Sequence, residues 1–260
     1  MNSAVPWQVP ITDAVWRAAR ALRSSWWPAA LIAAAVLGHP AARADVIAGN
    51  GKAASETRAA AEFHAIRLHG GIALQLRQGS PASVVVHADS NLLSLIDSQV
   101  DGERTLHLRW QRGTSVRVRA PTRVEVTAPQ IHAVSSIGSG DITIEAMKVP
   151  RLAVSIRGSG DVQAQALDTD ELTLSIAGSG DVRAAGRSTR LRIDVSGSGS
   201  ADASALPADD VTVSIAGSGD AAVHAARALA VSIAGSGDVT YSGEPTVRRA
   251  IAGSGSVRKR

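Results

Sequence analysis

The sequence contains no cysteine, and it is poor in methionine and aromatic residues. Without cysteine the chain can form no disulfide, no thiolate nucleophile and no cysteine-ligated metal site. It has 2 Met, 1 Phe and 1 Tyr against 24 Gly in 260 residues, so its apolar content comes mainly from Ala, Val, Ile and Leu. This composition suits thin, closely stacked β-strands better than the wide packing of helices.

The sequence also lacks a clear apolar run of membrane-spanning length. Residues 26–37 form an apolar run of about 12 residues, whereas a helical span needs about 20. The run follows three arginines within residues 17–23 and precedes a small-x-small tripeptide at residues 42–44. This order predicts a signal peptide over residues 1–44, and an uncleaved anchor is the alternative. We therefore expect an exported protein, periplasmic, secreted or at the cell surface, with no stable membrane span after cleavage.

Excess positive charge largely disappears once that segment is set aside. The formal net charge of the whole chain is +4, but residues 1–44 carry four arginines and one aspartate, which leaves +1. The rest of the chain offers only Phe63, Trp110 and Tyr241 as aromatic groups that could stack on bases. We therefore expect no nucleic-acid partner.

What the sequence does have is a Gly-Ser-Gly motif in seven copies, five of them followed by Asp. The first glycines of the copies are Gly138, Gly158, Gly178, Gly197, Gly217, Gly235 and Gly253. Their spacing of 18 to 20 residues is typical of a solenoid. Between motifs, apolar and polar residues alternate as in Leu152, Val154 and Ile156, and no stretch has helical spacing. We predict an all-β fold in which each repeat is one coil of a β-solenoid.

The alternation continues through each motif and assigns a side to each of its residues. Both glycines fall on the inward parity, so we predict a tight corner where an inward Cβ would collide with the neighbouring wall. Ser and Asp then point outward, and stacking at about 4.8 Å turns each position into a ladder. The serine ladder is Ser139, Ser159, Ser179, Ser198, Ser218, Ser236 and Ser254. The acidic ladder is Asp141, Asp161, Asp181, Ser200, Asp220, Asp238 and Ser256. A third outward ladder, on the strand before the corner, is Ser155, Ser175, Asp194, Ser214 and Ser232.

The chain before the repeats divides into two further parts. Residues 45–58 are small and polar, and we expect a flexible leader. Residues 59–133 alternate again and predict a β region that continues the solenoid or caps its first coil, with a short helix or irregular crossover at residues 91–100. Together with the repeats at 134–260, this region forms one predicted β-solenoid domain, residues 59–260.

Three segments of the sequence resemble a known bacterial family, the "putative auto-transporter adhesin, head GIN domain". Residues 63–109 resemble its opening β region, residues 123–142 the start of its repeats, and the coils to residue 256 its body. The resemblance implies a right-handed parallel β-helix related to the pectin-lyase fold, in exported or envelope proteins, with a role in adhesion. The family has no established catalytic residues to transfer. The sequence departs from the pattern at Ser200 and Ser256, where Asp is expected.

The motif's chemistry excludes a phosphate loop, because no helix follows the glycines and the third glycine of G-x-G-x-x-G is missing. No catalytic or cofactor-binding residue is predicted. Calcium is the one metal alternative, because stacked carboxylates repel one another and a cation would relieve the repulsion. Its ligands would be Asp141, Asp161, Asp181, Asp220 and Asp238 with Ser139, Ser159, Ser179, Ser218 and Ser236. The competing interpretation is that each Asp caps its own turn by accepting from nearby backbone N–H groups.

Two functions remain open at this point. The first is a non-enzymatic adhesion or envelope-interaction module whose polar ladders bind a glycan, an envelope polymer or a surface protein. The second is a polysaccharide-acting enzyme, which would need a few carboxylates converging in one groove. The ladder is uniform and singles out no carboxylate pair, which favours the first.

Overall fold

The computed structural model describes residues 46–260, so the predicted signal peptide lies outside the described residues. These residues form nineteen strands and one short 3-10 helix, Leu93–Leu95. The strands are β1 (Val46–Ala48), β2 (Ala53–Arg58), β3 (Ala65–Gly70), β4 (Ala73–Gln78), β5 (Ser83–Asp89), β6 (Ile96–Val100), β7 (Thr105–Trp110), β8 (Ser115–Arg117), β9 (Arg123–Ala128), β10 (Ala133–Gly138), β11 (Ile142–Lys148), β12 (Arg151–Gly158), β13 (Val162–Gly178), β14 (Val182–Gly197), β15 (Ala201–Gly217), β16 (Ala221–Gly235), β17 (Asp238–Ser242), β18 (Thr246–Gly253) and β19 (Ser256–Lys259).

The repeats form a stack of parallel coils. From β10 to β19 each coil pairs with the next in parallel, and the first glycines lie opposite one another throughout, as Gly158 does with Gly178. The predicted β-solenoid is therefore confirmed. Seven such coils span six steps, or about 29 Å of the solenoid axis.

The core lies inside the coils because the inward positions are apolar. Leu152, Val154 and Ile156 are each at most 2% exposed, and the residues between them face out. The strict alternation ends after Ala164, where β13 shifts register against β14 and Gln165 and Ala166 are both exposed. Alternation continued from Val162 and Ala164 would place Ala166 inward as well. Instead the parity slips by one residue, and Leu167 is buried in the core.

The stacking order at the N-terminal end differs from the chain order. Strands β3 and β4 stack directly on β10 and β11, so residues 79–132 are passed over in the stack. The outer neighbours of β3 and β4 are β7 and β9, which also pair with them in parallel. Residues 65–128 thus add two coils to the solenoid.

Antiparallel strands then cover part of this end. Strand β5 pairs with β9, β2 pairs with β5, and β6 pairs with β7, all antiparallel. The N-terminal region therefore both continues the solenoid and caps it, and the segment at 91–100 combines the 3-10 helix with β6. Such a cap removes an unpaired edge that could recruit other strands.

The segment for which a flexible leader was expected contains two paired strands, β1 and β2. The fully buried carboxylate of Asp89 fixes the link between them, because it accepts from the backbone N–H of Gly51 at 2.6 Å. The same carboxylate accepts from the N–H groups of Arg119 and Ala120. Local composition does not reveal these contacts, because Gly51 and Ala120, which bond the same carboxylate, are about 70 residues apart in the sequence.

The C-terminal end of the stack is open. Strands β18 and β19 pair only with β16 and β17 among the described residues, so their outer edges are free. Ile251, at a core position of this last coil, is 39% exposed. In residues 46–260 there is no helix of the length and apolar character needed to traverse a bilayer.

Candidate binding surface

The Gly-Ser-Gly corner is shaped by contact between coils. Gly158 has φ of +137°, a conformation that residues with a side chain adopt only at a cost. A Cβ built on Gly158 or Gly160 would run into the carbonyl oxygen of the equivalent glycine one coil earlier. The expected collision therefore exists, but the obstacle is the backbone of the preceding coil and not an opposite wall. In the first six motifs the second glycine is buried as predicted, whereas the first is only half-buried; in the last motif Gly253 is exposed and Gly255 half-buried.

Backbone hydrogen bonds hold the serine ladder in register. Each motif serine donates its N–H to the first glycine of the preceding coil, as Ser179 does to Gly158 at 2.9 Å. The seven serines are all exposed, as the parity predicted. The members are Ser139, Ser159, Ser179, Ser198, Ser218, Ser236 and Ser254. The result is a straight row of hydroxyl groups along one edge of the solenoid.

The acidic ladder is bonded from coil to coil. The carboxylate of Asp141 accepts from the N–H of Asp161 at 2.9 Å, and Asp161 accepts in the same way from Asp181. Asp181 accepts from Ser200 at 3.0 Å, and Asp220 from Asp238 at 2.8 Å. The prediction that each Asp caps its own turn was therefore right about backbone N–H donors but wrong about their location. The donors belong to the next coil, because the parallel stacking brings its N–H groups over each carboxylate.

The two serines at Asp positions have different effects. Ser256 ends the ladder, and both its N–H and its hydroxyl donate to Oδ1 of Asp238 at 2.8 Å. These bonds from Ser256 lower the pKa of Asp238. Ser200 interrupts the ladder, since within residues 46–260 no hydrogen bond joins its side chain to the N–H of Asp220.

Calcium binding at this ladder stays an untested alternative. Within the described part of the chain, no group of three or more His, Asp or Glu side chains converges as a metal-binding cluster. One oxygen of each of Asp141, Asp161, Asp181, Asp220 and Asp238 already accepts a backbone N–H. That bond compensates part of the like-charge repulsion that had suggested a cation.

The third ladder lies on the strand before the corner, on a face built mostly from short side chains. Ser155, Ser175, Asp194, Ser214 and Ser232 lie opposite one another in successive coils, as expected. Asp194 is held by Arg192, whose Nε and a terminal nitrogen donate to the two carboxylate oxygens at 2.7 Å. Beyond Asp194 the face contains two adjoining cavities of about 400 Å³ each.

A further corner, which the Gly-Ser-Gly motif does not mark, lies between β3 and β4. Gly70 lies opposite Gly138 and accepts the N–H of Ser139 at 3.1 Å, although the local sequence is HGGIA. The signal was present, because Gly70 continues the inward parity of Ile66 and Leu68. This corner lacks both Ser and Asp, so the polar ladders begin only at Ser139.

Histidines that are dispersed in the sequence meet in pairs at the N-terminal coils. His64 and His132 have ring centroids 5.9 Å apart, and His69 stacks on His107 at 6.1 Å. Burial lowers the pKa of His69, and the positive charges of His107, Arg67 and Arg109 lower it further. The sequence could not show these pairs, because they depend on the altered stacking order of β3, β7 and β10.

Comparisons with known proteins agree with this architecture. The profile of the family described as "Putative auto-transporter adhesin, head GIN domain" matches residues 62–245, which include the N-terminal coils and six of the seven motifs. The chain belongs to this family. The resemblance inferred from the three sequence segments is thereby confirmed.

Solved structures of similar proteins share the fold. A "putative adhesin" from Bacteroides fragilis NCTC 9343 has a TM-score of 0.77 at 24% identity, over 82% of this chain and all of that one. A "putative lipid binding protein" from Parabacteroides distasonis ATCC 8503 has a TM-score of 0.71 at 25% identity, over 83% and 100%. A "putative adhesin" from the same organism reaches 0.67 at 24% identity, over 83% and 100%. No curated protein matches the chain.

Proposed function

We propose that this GIN-domain chain is an exported, non-enzymatic adhesion-type module. It binds a repetitive partner, a glycan or another envelope polymer, along the corner of its stacked coils. The observation that carries the proposal is the row of seven exposed serines, held at constant spacing by backbone hydrogen bonds. A polymer with repeating hydroxyl or amide groups can make the same contact at many coils, so weak single contacts add up.

The acidic ladder supports this role by fixing the corner. Since each carboxylate bonds the next coil, the spacing of neighbouring serines is held by side chains as well as by the sheet. A rigid surface loses less entropy on binding than a flexible one. Family membership and the names of the structural neighbours support an adhesion-type role and not an enzymatic one.

The alternative, a polysaccharide-acting enzyme, has less support. It requires acidic groups from different coils to converge on one groove. Asp210 is the one carboxylate in the lining of the two large cavities, and Arg227 engages it. Asp194 pairs with Arg192, which also lines them. They serve as ion-pair partners there.

The test is binding of the chain from residue 45 to a panel of glycans and isolated envelope polymers. Ser179→Arg places a long charged side chain in the middle of the ladder and should reduce binding about tenfold. Ala166→Arg adds the same charge at an exposed position away from the corner and should leave binding unchanged. Failure to bind any polymer, or equal effects of the two substitutions, would count against the proposal.

A further inference from the structure

The outer face of the last coils contains a shallow trough. It consists of the two adjoining cavities of about 400 Å³, which share Thr212, Ala230 and Arg248. These three residues and Arg192 occupy one outward column in the order Arg192, Thr212, Ala230, Arg248. Three steps of about 4.8 Å separate the two arginines, so the trough is about 14 Å long. It forms because short side chains lie between two long ones.

The charges around the trough do not balance. Arg192 is paired with Asp194, and Arg227 donates to both oxygens of Asp210. Arg248 and Arg249 also line the trough, and neither forms an ion pair within residues 46–260. The lining therefore has four arginines and one aspartate, Asp210, while Asp194 compensates Arg192 from outside the lining. The excess positive charge lies at the end formed by β18.

Hydroxyl groups lie beside these cations. Thr212, Ser214 and Ser232 line the trough, and their hydroxyls make no hydrogen bond to other protein groups of the described chain. Each can donate one hydrogen bond and accept two. The floor between them is Ala230 and Ala250, which leaves room for an extended ligand.

We propose that this trough binds an acidic saccharide, with the ligand's carboxylate against Arg248. The inference rests on the proposed function and deepens it by naming the ligand class and a second contact surface beside the corner. An unpaired guanidinium offers two parallel N–H donors that match a carboxylate. The free hydroxyls of Thr212, Ser214 and Ser232 complement sugar hydroxyls, which both donate and accept. An extended trough suits several linked sugar units better than a compact anion.

The experiment is a calorimetric titration of the chain with an oligogalacturonate, at low salt and again at about 500 mM NaCl. The methyl ester of the same oligomer is the matched ligand, because it removes the charge and keeps the sugar. We expect the acid to bind, the ester to bind at least tenfold more weakly, and high salt to weaken binding of the acid. Arg248→Gln should weaken binding of the acid about tenfold.

Arg157→Gln is the control variant. Arg157 is an exposed arginine of β12 that also forms no ion pair within residues 46–260, and it lies five coils, or about 24 Å along the stack, from Arg248. The Arg157→Gln variant should bind the acidic oligomer as tightly as the parent chain does. No binding of the acid, or equal losses in the two variants, would overturn the proposal, and so would inorganic phosphate binding as tightly as the oligomer. Polymer binding that Ser179→Arg abolishes and Arg248→Gln leaves intact would overturn the trough but retain the adhesion role.

Discussion

The backbone N–H of Asp181 donates to Oδ1 of Asp161 in the preceding coil at 2.9 Å, and the Asp181 carbonyl accepts the N–H of Val162 at 2.8 Å. Side chain and main chain thus join the same two coils in opposite directions at one corner. The aspartate of the motif acts between coils, so its contribution is to stacking. This explains how a column of exposed carboxylates is tolerated: each is partly compensated by a charge-assisted hydrogen bond.

Removing this acceptor should destabilise the stack. We expect Asp161→Ala to lower the free energy of unfolding by about 1 kcal/mol, because the N–H of Asp181 loses its partner. Asp161→Asn keeps an oxygen acceptor at the same place and should cost clearly less. Urea unfolding followed by circular dichroism measures both. Equal losses for the two variants would show that the charge matters and the acceptor does not.

The gap at Ser200 allows the opposite change. Ser200→Asp should provide an acceptor for the N–H of Asp220 and so complete the ladder, but it adds a charge between Asp181 and Asp220. Like charges at about 4.8 Å cost about 1 kcal/mol per pair in water, and salt screens this cost. We therefore expect the melting temperature of the variant, relative to the parent, to rise between low salt and about 500 mM NaCl.

Ser200→Asn separates the two effects. It offers the same acceptor without the charge, so it should stabilise the chain at both salt concentrations. A salt response as large as that of Ser200→Asp would contradict the explanation.

The sequence was sufficient to predict the coils but not their order at one end. Alternation and motif spacing determine which side chains face inward, and these are local properties of one strand. The pairing of β3 with β10 joins residues that are 68 positions apart, such as Ala65 and Ala133, and no local pattern records it. The same limit hid the histidine pairs and the buried contact of Asp89 with Gly51. The trough was also beyond prediction, because it depends on how two successive coils place short side chains between Arg192 and Arg248.

Calcium should have no structural role if the carboxylates are satisfied by backbone N–H groups. We expect the melting temperature to be the same in millimolar calcium and in chelator. The same pair of melting temperatures can be measured for Ser200→Asp, in which the two acidic runs of the ladder become one. A rise of several degrees with calcium in the parent chain would instead support a cation at the ladder.

Asp89 should make the N-terminal strands sensitive to acid. Backbone hydrogen bonds, that of Arg119 first, lower the pKa of Asp89 below its ordinary 3.8. A lowered pKa in the folded chain means that the carboxylate stabilises the fold above about pH 4, and that this contribution is lost as the pH falls through the folded value. Amide exchange of Gly51 and Ala120, corrected for the intrinsic pH dependence of exchange, should therefore accelerate as the pH falls below about 4.

Asp89→Asn is the comparison for this acid effect. It removes the titrating group, so exchange of the same amides should be faster at neutral pH and should lose that acid-dependent acceleration. Thermal melting at neutral pH should also show a lower transition temperature. Acid-dependent exchange identical to that of the parent would assign the effect to another group.

The last coil has a charged residue, Arg249, at a position that is apolar and buried in the preceding coils. The column runs through Val134, Val154, Leu174, Ile193, Val213 and Val231, all buried, and ends at Arg249, which is exposed. A charged residue at an inward register position of an edge strand is a known way to prevent edge-to-edge pairing, because pairing would bury the charge. We therefore predict that Arg249→Val causes self-association through β18, seen as dimers or larger species in light scattering.

Arg248→Val is the matched control, because it removes the same charge from the neighbouring residue on the outward side of the same strand. It should stay at the parent's molar mass, whereas Arg249→Val should not, since only the latter extends the apolar column from Val231 to the free end. Equal association of both variants would mean that net charge keeps the chains apart. No association of Arg249→Val, with the fold intact by circular dichroism, would mean that the exposed Ile251 and the free backbone of β18 are not enough to recruit a second copy.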